Sequence, residues 1–379
     1  MTETVFANAT LVLEDDVITG SLLVRDGLIA DIAHGATRLP SAEDCAGDIL
    51  MPGIIDLHTD NLERQVLPRP DARWPSRSAF LAHDAQCAAA GVTAVFDALC
   101  VGNLNFDNED RIRTFTDGVA DLTALNGTGL FKAEHFLHLR CELPAANMLG
   151  LAEPALGHPM TRMVSLMDHT PGLGQYADLD RFRARRSAGG RESLAEIDAA
   201  IAELQESRAR LRGPNRRALL EMVRMRPIVL ASHDDETLAE VEENHADGIA
   251  ISEFPVRLAA ARHAKSLGMT VIAGAPNIVR GGSHSGNVAA AELVAAGAAD
   301  AFASDYVPSA LLEAAFRVAD DGLPLARAVA LVTSGPARMA GLADRGRIAP
   351  GLRADLLRVR RLGGLAAPVA VWREGQRVA

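Results

Sequence analysis

A strand-like run with apolar Ile54, Ile55 and Leu57 leads into His58-Thr59-Asp60. Side chains alternate along a strand, so His58 and Asp60 share one face. An imidazole and a carboxylate placed that way suit a divalent cation. The plainer reading is a strand-end turn with a capping aspartate. Four further strand-like runs end in ligand-type residues: Glu142 closes Ala133–Glu142, Asp168-His169 follows Met163, Ser232-His233 follows Ile228, and Asp305 follows Ala301. Along Ala133–Glu142 the odd positions Leu137, Leu139 and Cys141 are apolar and fit to face helices, while His138, Arg140 and Glu142 point the other way. A polar strand end is commonly only the start of a loop, but five ends carrying metal-ligand types are hard to explain so.

A second motif is suited to anions. Arg280-Gly281-Gly282-Ser283-His284-Ser285-Gly286-Asn287 is read as a loop between a strand and a helix. Its glycines let backbone N–H groups approach phosphate, a helix N-terminus favours negative charge, and Arg280 matches phosphate oxygens in a bidentate fork. Arg140, on the face of Glu142, is a second candidate clamp; a salt bridge inside the fold is its alternative. A bare loop is the alternative for the glycine-rich run. His34, His83, His158, His245 and His263 read as structural or solvated, without clustered partners.

These residues need a scaffold that gathers strand ends. Strands are expected near Ile54–His58, Thr93–Ala98, Ala133–Glu142, Met163–Asp168, Ile228–His233, Gly248–Glu253, Thr270–Ala275 and Ala301–Asp305. Helices are expected between them, including Ser78–Ala90, Asp107–Leu125, Glu236–Asn244, Pro255–Leu267 and Ala289–Ala296. Eight alternations predict an α/β fold, a (β/α)8 TIM-like barrel whose polar rim is the C-terminal one. An open doubly wound sheet is the alternative, but no GxGxxG follows the first strand. Residues 1–51 and 344–379 carry short alternating runs, with a turn signal at Asp26-Gly27, and predict a small β-sandwich domain built from both termini. The barrel spans 52–343. An Arg-rich insertion at about 177–226 interrupts it; Ile197, Ile201 and Leu204 mark a helical stripe, and Gly213-Pro214-Asn215 predicts a break between two helices. A solvated hairpin, a lid and a partner-docking arm are the readings of this insertion.

Composition sets the outer bounds. The chain has 379 residues and a net charge of −11, which disfavours nucleic acid as a partner. Its four cysteines lack CxxC spacing and read as reduced packing residues. There is no signal-peptide pattern and no apolar run of the roughly 20 residues a membrane helix needs, so a cytoplasmic protein without a membrane partner is expected. Self-association is left open.

The HxD motif, the carboxylate- and histidine-ended strands and the returning segment Gly346–Asp355 together resemble the amidohydrolase superfamily. The resemblance covers the whole chain. It implies a metal-bearing barrel flanked by a terminal β domain, with His58, Asp60, Glu142, His169, His233 and Asp305 as ligands to divalent ions. Two ions are expected, Zn2+ or Mn2+. Family members bridge their metals with a carboxylated lysine or with glutamate. The chain has only Lys132, at the wrong rim, and Lys265, on a helix, so Glu142 is the expected bridge.

The runs 58–63, 132–142, 168–172, 232–236, 274–287 and 303–308 resemble one branch, which hydrolyses a ribosyl triphosphate to the 5-phosphate and pyrophosphate in phosphonate catabolism. Asp305 is then the expected base, and Arg280, Gly281, Gly282, Ser283, His284, Ser285, Asn287 and Arg140 the expected substrate contacts. An amide, lactone or amidine hydrolase, and a non-catalytic partner in a phosphonate-processing assembly, are the alternatives.

Overall fold

The computed structural model describes residues 2–104, 109–188, 192–283 and 286–379. Strands Glu3–Val12, Val17–Arg25, Leu28–His34, Glu43–Asp44 and Ile49–Pro52 combine with Leu356–Leu362, Leu365–Arg373 and Gln376–Arg377 in one sheet. The termini meet where Ile49–Pro52 pairs antiparallel with Leu356–Leu362. Asp26 and Gly27 both have positive φ, 48° and 83°, as a tight hairpin turn requires. The expected sandwich takes the form of one continuous sheet curled over its own core. Phe6 and Trp372 lie three strands apart in the pairing order, roughly 14 Å if the sheet were flat, yet their rings meet at 4.8 Å.

Eight parallel strands follow in sequence order: Ile54–Thr59, Val92–Val101, Glu134–Glu142, Thr161–Met167, Val229–His233, Ile251–Glu253, Thr270–Gly274 and Ala301–Ala303. Neighbours in sequence are neighbours in the sheet. A parallel bridge between Thr59 and Asp305 joins its first and last members. The Asp305 N–H donates to His58 O at 3.0 Å, and the Asp60 N–H donates to Asp305 O at 2.5 Å. The barrel therefore closes through the residues expected to do chemistry. Ile55, Leu57, Ala94, Phe96, Phe136, Met163 and Ile272 fill its lower interior. Outward residues such as Leu137, Leu139 and Cys141 pack under the helices.

The helix expected over Asp107–Leu125 is Glu109–Leu125, with Asp107 outside the described residues. The insertion departs further. Its first helix is Leu179–Ser187, and its second runs unbroken from Leu194 to Val223 with Pro214 inside it. Proline removes one intrahelical hydrogen bond, but the surroundings hold the helix through. Asn215 donates to the carbonyls of Leu143 and Ala145 at 2.8 and 3.1 Å. Arg208, Arg212 and Arg216, four residues apart on one face, pair with Asp168, Glu243 and Asp247 at 2.6, 2.6 and 2.7 Å. The second helix begins instead at a capping box, Ser193 with Glu196.

Candidate active site

The floor of the barrel mouth is a hydrogen-bonded cluster centred on Glu253. Its Oε1 accepts from His58 Nδ1 at 2.8 Å, and its Oε2 accepts from His233 Nδ1 at 3.0 Å and from Ser165 Oγ at 2.8 Å. An ionised carboxylate only accepts, so both rings carry their proton on Nδ1 toward Glu253 and turn Nε2 toward the mouth. Burial alone would favour a neutral His58, but Glu253 outweighs it and lifts the ring to about 10. Burial works against the Glu253 charge, yet the neighbouring His58, with hydrogen bonds from His233 and His58, holds it well below the usual carboxylate range. His138 is pushed down to about 3 by burial and binds Leu57 O through Nδ1 at 2.9 Å.

Two groups of ligand atoms open above this floor. One comprises His58, Asp60 and Asp305; the other comprises His169, His233 and Asp234. His58 Nε2 lies 3.6 Å from Asp60 Oδ1, while His169 Nε2 and His233 Nε2 lie 3.7 and 3.8 Å from Asp234 Oδ2. His58 Nε2, His169 Nε2 and Asp234 Oδ2 are buried and make no hydrogen bond. Buried polar atoms are ordinarily paired. Three orphans converging on two small gaps, drawn from imidazole and carboxylate, are a donor set that fits divalent metal. The structure thus brings five of the six expected ligands into these two groups, and adds Asp234.

Glu142 stands one step back. It accepts from the His169 backbone N–H at 2.8 Å and from His169 Nδ1 at 2.7 Å. Both its oxygens are engaged by His169, so in this structure it orients that ring. With Glu142 and Asp234 beside it, His169 is lifted to about 9 against the effect of burial. Asp60 behaves oppositely to its neighbour Asp305. Burial raises both, but Arg140, 2.6 Å from Asp60, drives that carboxyl well below its usual range. Asp305, with burial and the Asp60 charge acting together, is pushed up. Neither lysine enters the site: Lys132 Nζ donates to Val378 O at 2.8 Å, and Lys265 Nζ binds Asp300 at 2.6 Å.

Above the ligands lies a cavity of about 500 Å3. Arg140, Arg280, Gly282, Ser283 and Asn287 line it as expected, joined by Arg111, Arg185 and Tyr176. Gly281 caps the preceding helix in the left-handed conformation, φ 79°. The glycine-rich run does not directly follow its strand: the helix Ala275–Arg280 intervenes, so Arg280 projects from a helix end and not from a loop. The following helix, Ala290–Ala295, is a short one, and the N–H of Ala290 is taken by Asn277 Oδ1 at 3.0 Å. Asn287 N donates to Ser283 Oγ at 3.2 Å. His284 and Ser285 lie outside the described residues.

Sequence reasoning missed Glu253 as part of the site; Asp234, with Asp235 and Glu236, reads from sequence either as support behind the ligands or as a helix N-terminal cap, and not as a ligand. Glu253 ends the sixth barrel strand, so the strand-end argument applied elsewhere would have found it. Asp234 follows His233 and is held at φ 59°, which only the fold reveals. It also missed a cluster involving His83. That ring is wholly buried and binds Asp97 at 2.7 Å; Asp97 binds His135 at 2.9 Å, and His135 binds Asp84 at 3.1 Å. Asn61 Nδ2 meets the remaining nitrogen of His83 at 2.9 Å. Both nitrogens of each ring are engaged, so this network braces the second and third barrel strands against the helix Ser76–Ala89.

Residues 239–379 match the Amidohydrolase family description. The alpha-D-ribose 1-methylphosphonate 5-triphosphate diphosphatase of Escherichia coli (strain K12) is 45% identical over 378 residues, spanning 98% of this chain and 99% of the relative. Dihydropyrimidinase 1 of Caenorhabditis elegans is 30% identical over 103 residues, 27% of this chain and 20% of the relative. Among solved structures, 5-methylcytosine deaminase from Klebsiella pneumoniae, liganded with 5-fluorocytosine, gives a TM-score of 0.65 at 15% identity over 99% of this chain and 97% of that one. A variant N-acetyl-D-glucosamine-6-phosphate deacetylase from Mycobacterium smegmatis gives 0.63 at 15% identity over 100% of both chains. At those identities the likeness speaks for the fold alone.

Proposed function

The chain belongs to the family of alpha-D-ribose 1-methylphosphonate 5-triphosphate diphosphatases within the amidohydrolases, and on that footing we propose its reaction and the residues that perform it. It is a hydrolase of phosphonate catabolism. It converts alpha-D-ribose 1-methylphosphonate 5-triphosphate to the 5-phosphate and pyrophosphate. One observation carries the reading within the site: a floor of buried carboxylates and imidazoles lies under a cavity wall bearing four arginines, Arg111, Arg140, Arg185 and Arg280. A triphosphate needs both, since its reacting phosphorus must be polarised and its charge compensated.

His58, Asp60 and Asp305 would hold one divalent ion, and His169, His233 and Asp234 a second, with Zn2+ or Mn2+ the candidates. Bound there, such ions would supply Lewis acidity toward water and phosphoryl oxygen. The protein's own groups do the rest. Glu253 holds His58 and His233 with Nε2 facing the mouth. Glu142 does the same for His169. Asp305, raised by burial and by Asp60, takes a proton from the attacking water as the new P–O bond forms. The anhydride P–O bond breaks on the opposite side and pyrophosphate departs with the electron pair. Arg280 offsets charge on the phosphoryl oxygens, with Gly282, Ser283 and Asn287 shaping the wall beside it. Arg140 keeps Asp60 ionised.

No helix among the described residues is long and apolar enough to cross a membrane. The test is a stopped assay of the metal-loaded protein with the ribosyl triphosphate, scored for pyrophosphate against ammonia or a new carboxylate from amide and amidine substrates. Pyrophosphate release with metal-dependent turnover is expected. Hydrolysis of amides alone would overturn the reading.

A further inference from the structure

The polar insertion supplies part of the cavity wall. The segment Gly174–Tyr176 that leads into it lies against the candidate ligands: a β-carbon on Gly174 would sit 3.4 Å from the Asp234 side chain, and the rings of Tyr176 and His169 are 5.8 Å apart. Its helix Leu179–Ser187 is braced from several sides. Asp178 caps it through the Arg181 N–H at 2.9 Å, and Phe182 packs edge-on to Tyr176 at 5.5 Å. It also touches the barrel's glycine-rich run: a β-carbon on Gly286 would lie 3.0 Å from Arg181 Nη1.

This helix carries several arginines, and their partners differ. Arg183 pairs with Asp198 at 2.7 Å and with Asp180 at 3.0 Å. Arg186 is bound by Glu192. Arg185 faces the cavity and forms no ion pair or hydrogen bond among the described residues. Of the other cavity arginines, Arg140 is held by Asp60 at 2.6 Å and Arg111 lies 3.6 Å from Glu63. Arg280 resembles Arg185 in having no such partner among the described residues. Among the described residues, then, two arginines without protein counter-charges line one cavity, one from the barrel and one from the insertion. A guanidinium presents a planar donor fork matched to phosphate.

Resting on the diphosphatase reading above, we infer that Arg185 is a specificity residue that pairs with the terminal phosphates of the substrate, so that the insertion selects a triphosphate chain. The distal pair of phosphates carries most of the substrate's charge and leaves as pyrophosphate, so the same contact binds that product. Arg185 lies on the helix Leu179–Ser187, a different element from those bearing the ligand groups, and takes no part in holding metal or moving protons.

The experiment uses the metal-loaded full chain and its Arg185→Ala and Arg185→Lys variants. Loss of one charge-assisted contact corresponds to roughly 10–100-fold in binding. Arg185→Ala should raise KM for the triphosphate by about that factor, with kcat changed far less, and should raise the inhibition constant of pyrophosphate in parallel. Arg185→Lys should recover part of both losses, and bound metal should match the parent. An unchanged KM and pyrophosphate inhibition in Arg185→Ala would overturn the inference. So would a fall in kcat alone, or equal losses in Ala and Lys variants. A parent that releases no pyrophosphate would sink the diphosphatase reading instead; calorimetric binding of inorganic triphosphate to the parent and to Arg185→Glu would then decide the Arg185 contact by itself.

Discussion

Glu253 and His58 meet at 2.8 Å in the barrel interior, where neither side chain has more than 1% of its surface exposed. They come from opposite parts of the chain, the ends of the first and sixth barrel strands. The contact fixes which nitrogen of His58 faces the mouth. It also gives Glu253 a role beyond packing, because its second oxygen fixes His233 in the other ligand group. One carboxylate thus sets the aim of one imidazole in each group.

Glu253→Gln is nearly isosteric but cannot accept from both rings with full charge. Partners that orient metal ligands typically contribute 10–100-fold in affinity or activity. The variant is expected to lose metal affinity and turnover together by roughly that factor. Metal titration followed by spectroscopy or mass spectrometry, alongside the pyrophosphate assay, checks it. Full metal content at unchanged affinity would contradict the role.

Asp305→Asn tests the base. Asp305 has φ 55°, a region asparagine tolerates better than most residues, so the closing bridge to His58 is expected to survive. Removing the carboxylate should lower kcat by roughly 10²–10⁴-fold, the usual range for general base catalysis. Circular dichroism should show the parent fold. A variant with near-parental kcat would remove Asp305 from the proton transfer.

Arg280→Lys keeps a charge at the end of the helix Ala275–Arg280 but loses the planar fork. Its kcat/KM for the triphosphate should fall by roughly 10–100-fold. Bound metal should stay at the parental level, since arginine donates only and holds no cation. Parental kcat/KM in both Arg280→Lys and Arg280→Ala would move phosphate recognition elsewhere on the wall.

The buried His135–Asp97 pair gives a pH-dependent stability. Burial opposes the charged ring, but Asp97 raises His135 from 6.5 to about 9; burial opposes the charged carboxylate, but His135 lowers Asp97 from 3.8 to about 2. The histidine's contribution is complete below about 6.5 and is lost as pH rises through about 9. The aspartate's is complete above about 3.8 and is lost as pH falls toward 2. His135→Asn should cost about 3–5 kcal/mol near neutral pH by leaving a buried charge uncompensated. Its melting temperature should also fall less than the parent's between pH 6.5 and 9. Parallel curves for the two proteins would show that the pair does not titrate in that window.

The barrel strands were legible because each is an apolar run ended by polar residues, a pattern contained within about ten residues. The inward face of Glu134–Glu142 was legible for the same reason, since strict alternation separates His138 and Arg140 from Leu137 and Leu139. The insertion's second helix was misjudged at Pro214 because local propensity registers the missing hydrogen bond and not the remote carbonyls of Leu143 and Ala145 that hold Asn215. His83 read as an isolated ring because its partners Asp97 and His135 belong to other elements. The chemical types at the strand ends, and therefore the divalent-metal reading, belonged to the sequence alone: residue type and a two-residue period require no folded partner. Which nitrogens are left open, that both Glu142 oxygens are taken by His169, and that Arg185 joins Arg280 over one cavity were decided only by closure of the barrel. Closure brings residues as much as 248 positions apart within hydrogen-bond reach, and no local rule of propensity or spacing carries that distance.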